Sequence, residues 1–336
     1  MKFHYEFAIK KLQPPITHHH SMMMIGSCFT ENMGSLLKAA KFNIMENPNG
    51  ILFNPISVTE AVQQYISNKI FSKEDLFSLN ETWHSWKHHS KFSGITAEEA
   101  VQKINLSTFK ANDFLKKADY LFITLGSAWV YELTNNAEGA TNIGVVANNH
   151  KAPANWFTKR LLSVNESKAA LENMLVALKL FNPHLTIIFT ISPVRHLREG
   201  VIENNRSKAI LIQAVHEIVE QSEQHYYFPS YELMIDDLRD YRFYAEDLVH
   251  PNYHATQYIW GKFVEVCISE NTQQLLKSVQ EISIAYQHKP FNPSTAAHQK
   301  FLMKYATLVQ QLNEKNPELD LQTELNYFVS GLSNFS

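Results

Sequence analysis

Met22-Met23-Met24-Ile25-Gly26-Ser27-Cys28-Phe29-Thr30 decides how the rest of this chain is read. An apolar run ends at a glycine. Beyond it Phe29, Met33, Leu36, Leu37 and Ala40 recur at helical spacing. That order is strand, tight turn, helix. Gly26 allows the sharp reversal, because a residue without Cβ reaches backbone conformations closed to others. Ser27 then stands where a strand ends and a helix begins, the edge at which an open α/β sheet collects ligands and catalytic groups. Two roles are open to it: an N-cap that accepts a bond from a free helical N–H, or a nucleophile. Asp247-Leu248-Val249-His250-Pro251, far downstream, favours the second. Serine, aspartate and histidine in that chain order predict acyl transfer through a covalent acyl-enzyme.

Outward from this turn, more strands and helices alternate. Phe42–Met45, Tyr120–Leu125, Leu185–Ile191 and Tyr226–Phe228 read as further strands, and the second and third of these are nearly continuous apolar runs. Such runs are typical of strands covered on both faces. Ser167–Leu180, Ser207–Gln221 and Ala255–Ile268 carry apolar residues at helical spacing. The alternation predicts a three-layer α/β/α fold around a mostly parallel five-stranded sheet; the alternative is an α+β arrangement. Residues 56–118, with the run Trp83-His84-Ser85-Trp86-Lys87-His88-His89, read as a helical insertion or lid. The expected organisation is one catalytic domain over 1–270 and a helical C-terminal extension over 271–336 that packs on the core or on a partner.

Composition excludes several function classes. Among 336 residues the formal charge is −3 and 19% are charged, with basic residues only in short groups such as Lys116-Lys117. Nucleic-acid binding by phosphate neutralisation is not expected. Two cysteines, Cys28 and Cys267, imply no disulfide framework and fit a reducing cytoplasm. The start Met1-Lys2-Phe3-His4-Tyr5-Glu6 has no signal-peptide pattern, and no apolar stretch reaches the length of a membrane span. A cytoplasmic protein is the expectation. His18-His19-His20 invites a metal, but three adjacent side chains do not converge as ligands. Neither a metal nor another cofactor is expected.

The turn Gly26-Ser27-Cys28-Phe29-Thr30 resembles the signature of the GSCFA domain family, with threonine where the family name has alanine. Further matching blocks are Asn47-Pro48-Asn49-Gly50-Ile51-Leu52-Phe53-Asn54-Pro55, Thr124-Leu125-Gly126-Ser127-Ala128-Trp129, Ser192-Pro193-Val194-Arg195-His196 and Asp247–Pro251. Several separated blocks in one order are more specific than a single motif. The family looks related to the SGNH, or GDSL-like, hydrolases, which are three-layer α/β/α esterases, deacetylases and acyltransferases. The resemblance implies Ser27 as nucleophile, His250 as general base, Asp247 as the group that orients it, and Gly50 as an oxyanion-hole glycine. Where those hydrolases carry Gly-x-Asn-Asp this chain has Gly126-Ser127-Ala128-Trp129, so the side-chain donor must come from Asn47 or Asn49, or the backbone alone must suffice.

Three other features stay open. Cys28 is either the true nucleophile or a buried, inert thiol. Arg195 and His196 either bind an anionic or sugar portion of the substrate or make structural contacts. Trp83, Trp86 and Trp129 line an acyl or glycan pocket or pack in the core. The leading expectation is a serine-dependent acyl hydrolase, an esterase or deacetylase acting on a small-molecule or glycan acyl ester. The alternatives are an acyltransferase with the same triad and a non-catalytic carbohydrate-binding module. The oligomeric state is not legible.

Overall fold

The structure is a computed structural model of the chain and describes residues 5–137 and 144–333. The described chain forms two compact units. One holds Met22–Gly34 and Met45–Gly261; the other holds Lys10–Ser21, Ser35–Ile44 and the chain from Lys262 onward.

In chain order the first elements are β1 (Ser21–Gly26), α1 (Cys28–Ala39), β2 (Asn43–Glu46), α2 (Pro55–Ile66), the hairpin β3 (Phe77–Leu79) and β4 (Thr82–His84), α3 (Ala97–Lys117) and β5 (Tyr120–Leu125). Then come β6 (Trp129–Leu133), β7 (Val145–Val146), β8 (Phe157–Leu161), α4 (Val164–Phe181), β9 (Thr186–Ile191), α5 (Val201–Val219), β10 (His225–Tyr227), the single turn α6 (Ser230–Glu232) and α7 (Tyr253–Cys267). Three more helices follow: α8 (Glu270–Gln287), α9 (Ala296–Lys315) and α10 (Gln322–Ser333).

The central sheet has five strands in the order β10-β9-β5-β1-β2. Pairing is parallel between β1 and β5, β5 and β9, and β9 and β10. Every residue of β5 and β9 is buried, as the apolar runs predicted. Met23, Ile25, Leu121, Ile123, Leu125, Ile187, Phe189 and Ile191 share one face and one core with α2, α3, α4 and α5. Their alternate neighbours Met22, Met24, Phe122 and Ile188 point the other way and are equally buried. Gly26 pairs with Thr124, and Leu125 with Ile191. The C-terminal ends of β1, β5 and β9 therefore stand side by side, and the loops that leave them meet at one edge.

Two departures from the sequence reading matter for that edge. Residues 56–118 are not simply an added lid: α2 and α3 belong to the helical layer, packed into the main core through Val58, Val62, Tyr65, Ala111 and Leu115. A second sheet, antiparallel and ordered β7-β6-β8, was not foreseen. It carries Trp129 and Tyr131 onto the same edge.

In the second unit, Val279, Ile282, Leu302, Val309, Leu319 and Phe328 of α8, α9, α10 and their connections form a core of their own. The three histidines diverge there. His18 Nε2 lies 2.9 Å from the Ala40 carbonyl, His19 stands 3.7 Å from Glu318, and His20 Nδ1 accepts from the Thr17 N–H. Among the described residues no His, Cys, Asp and Glu group has the makings of a metal site, and no helix is long and apolar enough to cross a membrane.

Candidate active site

The turn after β1 is built around close backbone contact. Gly26 has φ +145°, and a Cβ there would lie 2.1 Å from the Thr124 carbonyl oxygen. Only glycine lets β1 and β5 approach so closely while the chain reverses. Its N–H donates to Asn47 Oδ1 at 2.9 Å. The Ser27 N–H donates to the Thr124 carbonyl at 3.2 Å, and Ser27 Oγ accepts from the Phe29 N–H at 3.3 Å. Ser27 is 0% exposed. Cys28, the first residue of α1, is partly exposed and opens on a cavity of about 1040 Å³. Burial, with the Glu31 carboxylate, pushes the Cys28 thiol up; the N–H groups of Cys28 and Phe29 and the Lys208 ammonium act in the opposite direction.

The same cavity receives His250. Asp247, Leu248 and Val249 form a tight turn with Leu248 at φ +58°. Asp247 Oδ1 accepts from the N–H groups of Val249 and His250 at 2.9 and 3.0 Å. Its Oδ2 lies 2.7 Å from His250 Nδ1. These bonds, led by that from the His250 backbone, hold the Asp247 carboxyl down to about 2. The Ala245 N–H donates to the His250 carbonyl at 2.8 Å, and Arg195 N–H donates to the Val249 carbonyl at 3.1 Å. The loop after β9 thus anchors the turn that carries His250. With Nδ1 committed to Asp247, Nε2 is the imidazole atom left to take a proton.

Two buried nitrogens complete the electrostatics. Lys208, on α5, is 1% exposed. Its Nζ donates to the Gly126 and Ser192 carbonyls, both at 2.7 Å, and so clamps the ends of β5 and β9. Burial brings the ammonium down to about 7, with Cys28 acting weakly against that. His196 packs edge-on against Phe53 at 5.1 Å between ring centres. Its Nε2 is buried without a hydrogen-bond partner, and burial, then Lys208 and His250, hold it down to about 3. A Cβ at Gly126 would stand 3.0 Å from the Phe53 ring, 3.1 Å from His196 Nε2 and 3.4 Å from Ser27 Cβ. Glycine there keeps the space between β1, Phe53 and His196 open.

The profile of the GSCFA family matches residues 21–263, and that of the GSCFA domain protein C-terminal domain matches residues 279–334. The chain belongs to the GSCFA family. No curated protein matches the sequence. Among solved structures, a carbohydrate esterase family 3 protein from Talaromyces cellulolyticus is 10% identical, with a TM-score of 0.34 over 78% of this chain and 99% of that one. An acetyl esterase, a serine-to-alanine mutant with acetate ion, is 13% identical, with a TM-score of 0.35 over 77% of this chain and 99% of that one.

The GSCFA sequence blocks divide into those that reach the cavity and those that brace it. His196, Arg195 and His250 line it. The Arg195 guanidinium lies over the Tyr244 and Tyr241 rings at 4.1 and 5.3 Å, so stacking fixes its position. Gly126 lies behind the wall as the spacer just described. Gly50 does not serve as an oxyanion donor: its N–H donates to the Asn47 carbonyl at 2.8 Å. It is glycine because φ is +81° and a Cβ would meet His89 Cβ at 2.1 Å. Asn49 is likewise structural. It is 1% exposed, accepts from Tyr65 Oη at 2.9 Å and donates to Gln64 Oε1 and the Lys87 carbonyl. Asn47 is spent on Gly26. Ser27, expected as the nucleophile, is 0% exposed and does not line the cavity, whereas Cys28 does.

Three contributors escaped the sequence reading. Asn54, in the family block Asn47–Pro55, caps α2 by accepting from the Ser57 N–H at 2.8 Å while its Nδ2 donates to Ser57 Oγ at 3.0 Å. One Nδ2 hydrogen remains, and the residue lines the cavity. Lys208 could have been flagged as a charged residue on the stripe Asn204, Leu211, Val215, Ile218, all buried. Tyr131 alternates along β6 with Trp129, the one tryptophan offered for a pocket that does line the cavity, and lines it too; Lys159 Nζ lies 4.7 Å from the Trp129 ring centre and 5.3 Å from that of Tyr131. Trp86 instead stacks on Phe77 at 3.5 Å, and Trp83 packs with Phe71 and Leu76.

Proposed function

We propose that this chain is an acyl hydrolase, an esterase or deacetylase that forms a covalent acyl-enzyme at the C-terminal edge of its parallel sheet. The observation that carries the reading is His250, held by Asp247 at 2.7 Å, on the cavity into which the first turn of α1 opens. The carboxylate fixes the imidazole tautomer with hydrogen on Nδ1 and steadies the imidazolium once Nε2 has taken the nucleophile's proton. The nucleophile comes from the turn Gly26–Cys28. Attack on the acyl carbon places negative charge on its oxygen. The Cys28 N–H at the start of α1 and the remaining Nδ2 hydrogen of Asn54 are the donors proposed for it; one such donor is typically worth about 3 kcal/mol. The N-terminal end of α1 adds a favourable dipole. His250 then returns the proton to the leaving group, and water, activated by the same imidazole, frees the acid.

The substrate class follows from the wall opposite. Trp129 and Tyr131 offer flat apolar faces beside the Lys159 ammonium, a surface suited to a sugar ring bearing the acyl group. The test is turnover of p-nitrophenyl acetate and of acetylated sugars by the purified full chain and by His250→Ala. Turnover beyond one equivalent in the wild type, lowered about a thousandfold in the variant, is expected. Equal background rates in both folded proteins would refute the reading.

A further inference from the structure

We propose that the nucleophile of this site is the Cys28 thiol, and that its acyl-enzyme is a thioester; this rests on the acyl-hydrolase reading above. The turn separates its two candidates. Ser27 is 0% exposed, its N–H is bonded to Thr124 and its Oγ accepts from Phe29. No acyl carbon reaches it without opening the turn. Cys28 is one residue on, at the first position of α1, partly exposed, on the cavity that His250 lines.

The surroundings of the sulfur suit a thiol that must become an anion in passing. The N–H groups of Cys28 and Phe29 stabilise negative charge on Sγ, as helix starts do. The Lys208 ammonium, held between the Gly126 and Ser192 carbonyls, lies within electrostatic range of Cys28 and favours the same form. Burial and the Glu31 carboxylate oppose it, so the resting group is a neutral thiol that needs a base. His250 supplies one.

His250 Nε2 takes the Cys28 proton while Sγ bonds to the acyl carbon, and the C–O or C–N bond to the leaving group breaks as the imidazolium protonates that group. Water then attacks the thioester, gives its proton to His250, and the C–S bond breaks to release the acid and return the proton to Sγ. No oxidant or further reactant is needed.

The test compares the full-length wild type, Cys28→Ala, Cys28→Ser, Ser27→Ala and His250→Ala in multiple turnover of p-nitrophenyl acetate, with each variant's folding checked by its unfolding transition. Cys28→Ala is expected to lose about a thousandfold in kcat/KM, at least a hundredfold more than Ser27→Ala. Cys28→Ser, nearly the same shape, keeps the fold if Cys28→Ala does not, and reports the same loss of the thiol. Iodoacetamide is expected to stop the wild type while labelling Cys28 and sparing buried Cys267. The trapped acetyl adduct should map to Cys28 and be released by neutral hydroxylamine, as a thioester is. Turnover that survives in Cys28→Ala but vanishes in Ser27→Ala, with a hydroxylamine-resistant adduct, would overturn the assignment and leave the acyl-hydrolase reading standing. A wild type no faster than His250→Ala would sink both.

Discussion

Replacing Lys208 by methionine separates what a buried ammonium does for the fold from what it does for the site. In the native chain Nζ makes two 2.7 Å bonds to the Gly126 and Ser192 carbonyls, and burial lowers its pKa to about 7, against about 10.4 for a lysine in an unfolded chain. The sign follows from linkage. Below about pH 7 both states hold the proton, and the full cost of burying the charge is present. Between about 7 and 10.4 the native lysine is neutral while the unfolded one is still charged, so the unfolded state binds more protons and stability rises with pH. Above that range the cost is gone. From pH 7 to pH 9 the wild type should gain about 2 kcal/mol relative to Lys208→Met. The methionine variant escapes the charge cost at low pH but leaves two carbonyls without their donor, at about 1–3 kcal/mol each. The two stability curves should therefore lie close together near pH 6 and diverge as pH rises. The assay is urea unfolding at pH 6, 7.5 and 9, followed by fluorescence. All five tryptophans lie between residues 83 and 260, within the unit that holds Lys208. A wild-type-minus-variant difference that stays flat with pH would refute the buried, perturbed lysine.

Three further outcomes follow from the same geometry. Asp247→Asn should lower kcat by about three to four orders of magnitude with little change in KM, because an amide favours the wrong imidazole tautomer; a loss below tenfold in steady-state kinetics would remove Asp247 from the mechanism. Asn54→Ala should cost about 1 kcal/mol in unfolding through the lost α2 cap and about a hundredfold in kcat through the lost donor, whereas a stability loss with unchanged kcat would confine Asn54 to capping. Gly26→Ala forces a Cβ to within 2.1 Å of the Thr124 oxygen at φ +145°, so a loss of about 3 kcal/mol or more is expected, and a change under about 1 kcal/mol in urea unfolding would contradict the close pairing of β1 and β5.

The sheet was legible because burial on both faces leaves a mark along the chain itself. Tyr120–Leu125 and Thr186–Ile191 are apolar runs whose every residue is buried, and no partner needs to be known to read them. The small sheet was not legible for the opposite reason. Trp129 pairs with Leu161 and Glu132 with Val145, so short strands are fixed by partners 13 to 32 residues away, and the half-exposed residues of β6 and β8 carry weak periodicity. Helix α5 was foreseen from Ser207 yet begins at Val201, because the apolar residues of its first turn, Val201 and Ile202, are exposed and do not extend the buried stripe.

The site shows the same division at finer scale. The pairing of Asp247 with His250 could be read directly, since three residues of chain suffice to fold a carboxylate back onto an imidazole. Gly50 and Asn49 could not be read, because what decides their role is the direction of an N–H or an amide: the Gly50 N–H closes a turn on Asn47, and the Asn49 side chain is consumed by Tyr65, Gln64 and Lys87. The turn Gly26–Cys28 is the sharpest case. Adjacent residues at a strand-to-helix junction leave the backbone in very different directions, so a shift of one position exchanges a sealed side chain for one that opens on the cavity. Ser27 satisfies the chemistry of a nucleophile, but its hydroxyl already accepts from Phe29 and has no access to the cavity. Access is a property of the three-dimensional turn, set by the bond from Ser27 N–H to Thr124 on β5, a partner 97 residues distant in sequence. The strand pairing that builds the sheet is thus also what turns Ser27 inward and Cys28 outward.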